Sequence, residues 1–171
     1  MGINKTRHFV YLTLLSAMAI VLNMVDSIYI GSLAFGIRVG LANIIALVTI
    51  RFLGVRDMII VNLMRVVIGN LLRGLLFGST FWISLGGVVL SSLVLVLLDY
   101  MKASLLFTSV ISSIAHSVGQ VLVVMTFYRQ PMIMTILPYL LAGSVPMGMI
   151  TGYTAGLMLK RIKPLQTRIN G

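Results

Sequence analysis

Two arginines stand inside the long apolar run 58–77. A charge at the centre of a bilayer costs about 2.5–3.5 kcal/mol or more, so each needs a partner or a polar surrounding. At the helical repeat of 3.6 residues per turn, Arg65 and Arg73 lie on one face. Asn62 and Gly69 share that face. We expect it to line protein or a watery cavity, where guanidinium groups suit an anion.

A second polar face lies in the apolar run 105–127. Its members recur every three or four residues and are Ser109, Ser112, His116 and Gln120. A lone buried histidine is usually a satisfied structural group, whereas a whole polar face on a membrane helix favours a lined cavity. No second histidine or carboxylate stands at ligand spacing from His116, so we expect no metal site.

The acidic residues give the chain little with which to catalyse a reaction. They are Asp26, Asp57 and Asp99, and no two of them are close in sequence. A hydrolase triad of Ser109, His116 and an acid finds no support in their spacing. The chain also lacks cysteine and a glycine-rich phosphate loop with lysine. We therefore expect a protein that is not an enzyme by itself, without catalytic residues or a cofactor.

The elements that must position these side chains are predicted to be membrane helices. Hydrophobic residues make up 59% of the chain and charged residues 9%, with a mean hydropathy of +1.09. Soluble domains carry about 25% charged residues, and a helix needs about 20 apolar residues to cross a bilayer. An all-α integral membrane protein is predicted, one domain over 1–171 with six transmembrane helices at 9–30, 37–53, 58–77, 81–98, 105–127 and 133–159.

The second segment, 37–53, is short for a membrane span. Asn43 is its only strongly polar interior residue, and Arg38 lies near its start. We expect this segment to be tilted, partly re-entrant, or shielded by protein rather than lipid.

Positive charge predicts the orientation of the segments. The chain carries a net charge of +10, and basic residues favour the cytoplasmic side. Both termini are therefore expected in the cytoplasm, where the charge meets anionic lipid rather than nucleic acid. The basic residues then placed inside are Lys5, Arg7, Arg51, Arg56, Lys102, Lys160, Arg161, Lys163 and Arg168. Those placed outside are Arg38, Arg73 and Arg129, and we expect a cavity that opens outward.

Small residues form faces in the first and last segments. The ridge in the last segment consists of Ser144, Gly148, Gly152 and Gly156, spaced by four. Such spacing is typical of close helix contact. Ser16 and Ala19 belong to a small and polar face of the first segment. Each face fits packing inside the bundle or docking of a partner subunit, and both interpretations stay open.

Four stretches of the chain, 36–44, 65–74, 80–87 and 115–120, together resemble one membrane-protein family. The most specific elements are Gly-Leu-Ala-Asn, which ends at Asn43, and His-x-x-Gly-Gln, which begins at His116. On these motifs the chain resembles the Gx transporter family, whose members are often labelled heptaprenyl diphosphate synthase component I. That family is similar to the substrate-binding S components of energy-coupling-factor (ECF) vitamin transporters.

The resemblance implies an S-component-like bundle with an outward-facing pocket, in the bacterial cytoplasmic membrane. S components dock through helices 1, 2 and 6 on a transmembrane coupling subunit driven by two ATPases. The resemblance therefore implies these proteins as partners. The docking residues would be Ser16, Ala19, Gly148, Gly152 and Gly156.

The leading interpretation is a membrane-embedded binding subunit for a small anionic micronutrient, such as a flavin, a quinone precursor or an isoprenoid phosphate. Two groups of residues would hold this ligand. Its charge partners would be Arg38, Arg65 and Arg73, and its hydrogen-bonding partners Asn43, Asn62, His116 and Gln120.

Two alternatives remain open. In one, Arg65 only pairs with Asp26 or with helix-end carbonyls and holds the bundle together. In the other, the chain is a non-catalytic membrane partner of a prenyl diphosphate or quinone biosynthetic enzyme, as the family label suggests. A prenyl diphosphate synthase holds magnesium with clustered aspartates, which this chain does not carry. The second alternative therefore leaves catalysis to the partner.

Overall fold

A computed structural model describes the chain over residues 5–27, 41–129 and 131–170. These ranges contain six α-helices and no strand, which confirms the predicted all-α class. The helices are α1 Lys5–Val25, α2 Asn43–Phe52, α3 Val55–Leu72, α4 Ser79–Tyr100, α5 Leu105–Tyr128 and α6 Leu137–Asn170. A 3₁₀ helix, Pro131–Ile136, leads into α6.

Four stretches are long and apolar enough to cross a membrane by length and composition, as a helical membrane protein requires. They are Lys5–Val25, Ser79–Tyr100, Leu105–Tyr128 and Met132–Ile162. The ten residues of α2 rise only about 15 Å, half of a hydrocarbon core. α3 has a suitable length but carries Arg56, Asp57 and Arg65. Six membrane spans therefore stay a prediction, whereas six helices are observed.

α2 lies at the centre of the bundle. The other helices pack on one another in the order α1, α3, α4, α5 and α6. α2 packs on α1, α3, α5 and α6, and it touches the end of α4 through Arg51 and Asp99. Its residues from Asn43 to Ile50 are buried and form the middle of the larger apolar core. Of the three possibilities for the short second segment, shielding by protein is the one observed. A helix enclosed by other helices need not match the thickness of the bilayer.

Two ion pairs bring several helix ends together at one end of the bundle. His8 Nε2 lies 3.2 Å from Asp57 Oδ1, which joins the starts of α1 and α3. Arg51 Nε lies 3.2 Å from Asp99 Oδ1, and Arg51 Nη2 donates to the carbonyl of Ala103 at 2.7 Å. These contacts join the end of α2 to the end of α4 and the turn before α5. Successive helices therefore run in opposite directions.

We call this the basic end, because exposed cationic side chains surround it. They are Lys5, Arg7, Arg56, Lys102, Lys160 and Arg161. These residues were predicted to share one side of the membrane, and in the bundle they share one end. Whether that end faces the cytoplasm stays a prediction.

α3 ends at Leu72, five residues before the predicted end of its segment. Arg73 follows as the capping residue, and Gly74 adopts a left-handed conformation with φ of +67°. The amide of Leu75 then donates to the carbonyl of Asn70 at 2.9 Å, which closes the helix end. Arg73 thus stands at the end of α3, and its position on the face of Arg65 stays a prediction. Glycine favours this stop because a left-handed residue costs little without a Cβ atom.

Candidate functional site

Arg65 is the largest fully buried side chain of the described residues, with 1% of its surface exposed. Its Nη2 donates to Asn43 Oδ1 at 2.9 Å, which connects α3 to the central helix. Its backbone carbonyl accepts from Asn23 Nδ2 at 3.2 Å, which connects α3 to α1. Arg65 thus joins three helices, and its guanidinium group is hydrogen-bonded to the side-chain amide oxygen of Asn43.

Gly69 allows Asn23 to reach α3. A Cβ atom at position 69 would lie 2.8 Å from Asn23 Nδ2, so the Asn23 amide would have to shift from its present position. The spacing of Arg65 and Gly69 predicts that they share a face of α3, but it does not predict that Asn23 of α1 packs against this face. The sequence contains no signal that pairs Asn23 with Arg65.

Several buried polar atoms lack a hydrogen-bond partner among the described residues. Buried amides and hydroxyls are almost always bonded, so such atoms suit a polar ligand group or an ordered water. The atoms in the described helices are Ser16 Oγ, Asn43 Nδ2, Asn62 Oδ1, Asn70 Oδ1 and Ser112 Oγ. The amide oxygen of Asn43 is therefore bonded to Arg65, whereas its amide nitrogen has no partner among the described residues.

His116 makes a polar contact with Gln120 within α5 and another with Ser91 on α4. His116 Nε2 lies 3.1 Å from Gln120 Nε2, and His116 Nδ1 lies 3.4 Å from Ser91 Oγ. A Cβ atom at Gly87 would lie 2.9 Å from His116 Cε1. The imidazole is therefore packed directly against the α4 backbone.

Two serines of α5 face α6 instead of α4. Ser109 Oγ lies 2.8 Å from Thr151 Oγ1, and Ser117 Oγ lies 2.6 Å from Ser144 Oγ, both across the α5–α6 contact. The predicted polar face of α5 is real, but it is divided between two helix contacts. Its side chains lie in the α4–α5 and α5–α6 interfaces rather than along the wall of one open cavity.

Asn62 faces α4. Its Nδ2 donates to Ser92 Oγ at 2.8 Å and to Met58 Sδ at 3.1 Å. The structure thus brings Arg65 and Asn43 together, brings His116 and Gln120 together, and places Asn62 at a third position.

Arg73 lies beyond the end of α3 and is half-buried. Partial burial lowers the pKa of its guanidinium from the ordinary value, yet an arginine stays charged at neutral pH. Its Nη1 is buried without a partner in the ranges that the structure covers. Arg38, the third predicted charge partner, lies outside the described residues.

The predicted docking residues all take part in contacts within the chain. A Cβ atom at Gly148 would lie 2.7 Å from Val110 Cα, and one at Gly152 would lie 2.8 Å from Ser109 Cβ. Gly156 meets Leu105 at ordinary contact distance. This confirms the predicted close helix contact and identifies the neighbour as α5. The small face of the first segment is also internal, because Ser16 and Ala19 are buried.

The family model described as heptaprenyl diphosphate synthase component I matches residues 15–158, most of the chain. The matched range begins within α1 and ends within α6, so it includes the contacts of Arg65 and of His116 but not that of His8. Neither the curated proteins nor the solved structures contain a match.

Proposed function

The chain belongs to the heptaprenyl diphosphate synthase component I family, and we propose from this premise that it is the non-catalytic membrane partner of a prenyl diphosphate synthase. The family match over residues 15–158 is the observation that carries the proposal. Its description names one component of a synthase, and a component works within an assembly. We place the assembly at the bacterial cytoplasmic membrane.

The positions of the acidic side chains support a role without catalysis. Asp57 pairs with His8 and Asp99 pairs with Arg51, both at the basic end. Asp26 is buried just past the end of α1, and the sequence has no other acid. Magnesium bound to a diphosphate is held by clustered carboxylates. A chain whose carboxylates are dispersed in this way would leave the chemistry to its partner.

The basic end supplies a surface on which a soluble partner could dock. Its local carboxylates are in ion pairs, so the exposed cations dominate its potential. Electrostatic complementarity speeds association and fixes orientation. The proposed partner is therefore a soluble synthase that presents an acidic patch toward the membrane.

Affinity purification from detergent-solubilised membranes of the native host, after mild cross-linking, tests the proposal. We expect a soluble prenyl diphosphate synthase to co-purify in stoichiometric amount, and the pair to show synthase activity that the chain alone lacks. Recovery of a transmembrane coupling subunit and ATPases, without a synthase, would reject it.

One observation favours a second candidate function, the ECF-type binding subunit for a small anionic micronutrient. Arg65 is fully buried beside Asn43, about 15 Å along α3 from its start at the basic end. A buried guanidinium with an amide neighbour suits a carboxylate or phosphate. Mass spectrometry of small molecules released from the denatured protein tests this candidate. A stoichiometric flavin, quinone precursor or prenyl phosphate is the expected result, and a coupling subunit with ATPases would be the partners.

A further inference from the structure

A groove runs along the outside of the bundle between α3 and α4. α4 packs far more extensively on α5 than on α3, and the looser side leaves a groove with a volume of about 230 Å³. The residues that line it are Ile59, Asn62, Leu63, Leu85, Val88, Val89, Ser92, Leu93 and Val96.

The groove opens sideways, toward the lipid that surrounds a membrane protein. Ile59 and Leu63 on α3 are about half exposed, as are Val89 and Leu93 on α4. Apolar side chains at the rim of a groove let a lipid chain enter from the bilayer without crossing water. A ligand of this groove therefore needs a long apolar part.

One polar contact lies in the middle of this apolar surface. Asn62 is 98% buried, and its Nδ2 is bonded to Ser92 and Met58. Its Oδ1 has no partner among the described residues. A buried amide oxygen normally accepts a hydrogen bond. A ligand of this groove would therefore supply one hydrogen-bond donor. The nine lining residues include no charge, which disfavours an ionised head group.

Depth in the membrane also argues for a neutral head. Asn62 lies seven residues beyond the first residue of α3, about 10 Å along its axis. The phosphate of a phospholipid sits at the membrane surface, and burying it at this depth would be costly. A single hydroxyl that bonds to an amide has no such cost.

We propose that the α3–α4 groove binds an isoprenoid alcohol, with its chain between the two helices and its hydroxyl donating to Asn62 Oδ1. The choice of an isoprenoid over another single-chain alcohol rests on the proposed function. The groove, the unbonded amide oxygen and the absence of charge in the lining do not depend on it.

Photo-cross-linking with a diazirine derivative of farnesol tests the proposal in phosphatidylcholine nanodiscs. We expect the cross-linked peptides to map to residues 59–63 and 85–96, and excess unlabelled farnesol to suppress the signal. Asn62→Leu keeps the volume but removes the amide. Labelling should fall about tenfold, as expected for the loss of one buried hydrogen bond.

Matched variants separate binding from folding. Asn70→Leu removes another fully buried amide from α3, outside the groove, and should leave labelling unchanged. Leu93→Trp fills the groove from its exposed rim and should reduce labelling without touching Asn62. Leu97→Trp, also exposed on α4 but outside the groove, is its control.

Two results would overturn the proposal. Asn62→Leu could retain full labelling while its melting temperature falls, in which case the amide only supports the fold. Alternatively, a diazirine phosphatidylcholine could label the groove as strongly as the farnesol probe, without displacement by farnesol, in which case bulk lipid fills it. Co-purification of the synthase is a separate measurement, so loss of either result identifies which proposal has failed.

Discussion

Arg65 donates from Nη2 to Asn43 Oδ1 over 2.9 Å, and this hydrogen bond joins α3 to the enclosed helix α2. Asn43 is the first residue of α2, so the bond lies at the end of that helix farther from the basic end. An arginine at this position belongs both to the packing of the bundle and to any polar site within it.

Arg65→Ala is expected to lower the free energy of unfolding by about 2–5 kcal/mol. The substitution leaves a cavity and removes the hydrogen bond to Asn43. Thermal unfolding in detergent, followed by tryptophan fluorescence of Trp82, measures the change. Arg129→Ala, at an exposed position, should shift stability by less than about 0.5 kcal/mol.

The same variant distinguishes the two interpretations of Arg65. Purified wild-type and Arg65→Ala protein would be compared for bound small molecules by mass spectrometry after denaturation. A structural arginine predicts that the ligand content per folded protein stays equal. A ligand-binding arginine predicts that an anionic ligand present in the wild type is lost.

Gly87→Ala is expected to destabilise the α4–α5 contact by about 1–3 kcal/mol. The added Cβ would lie 2.8 Å from Gln120 Cγ and 3.0 Å from the carbonyl oxygen of His116, where the backbone cannot move aside easily. Gly143→Ala in α6 is the matched control, because no atom lies within 4 Å of its Cβ position. That control should be neutral or stabilising by up to about 1 kcal/mol. Equal stability of the two variants would contradict the described packing.

Single cysteines can test the orientation, because the natural sequence contains none. Lys102 lies at the basic end and Arg129 at the end of α5, on the opposite side of the bundle. We expect Arg129→Cys to react with a membrane-impermeant maleimide on intact cells. Lys102→Cys should react only after lysis. The reverse pattern would place the basic end outside.

Charge reversal at the basic end tests the docking surface. Arg56→Glu combined with Lys160→Glu changes two exposed side chains and should abolish co-purification of the soluble partner, because complementary charge becomes like charge. Arg129→Glu makes the same kind of change at the opposite end and should retain the partner. If the double variant still binds its partner at 150 mM salt and above, the contact lies elsewhere.

Much of the candidate site could be anticipated from spacing within single segments. Arg65, Gly69, His116 and Gln120 were placed on buried faces because a charge or a run of polar residues cannot face lipid. The end of α3 at Leu72 was not anticipated, because extending the apolar segment to Phe77 overlooked the tendency of Gly74 to end a helix. The role of Ser91 was missed, since no pattern within α4 relates it to His116.

The helical membrane class follows from properties that are local in the chain. Apolar composition and segment length are enough to predict six helices, whatever their arrangement. The packing alone shows that α2 is enclosed, that His116 faces α4 while Ser117 faces α6, and that the glycine ridge of α6 meets α5. Each of these depends on which surfaces of distant segments fit together. Periodicity within one segment says which face is buried, but not which neighbour buries it.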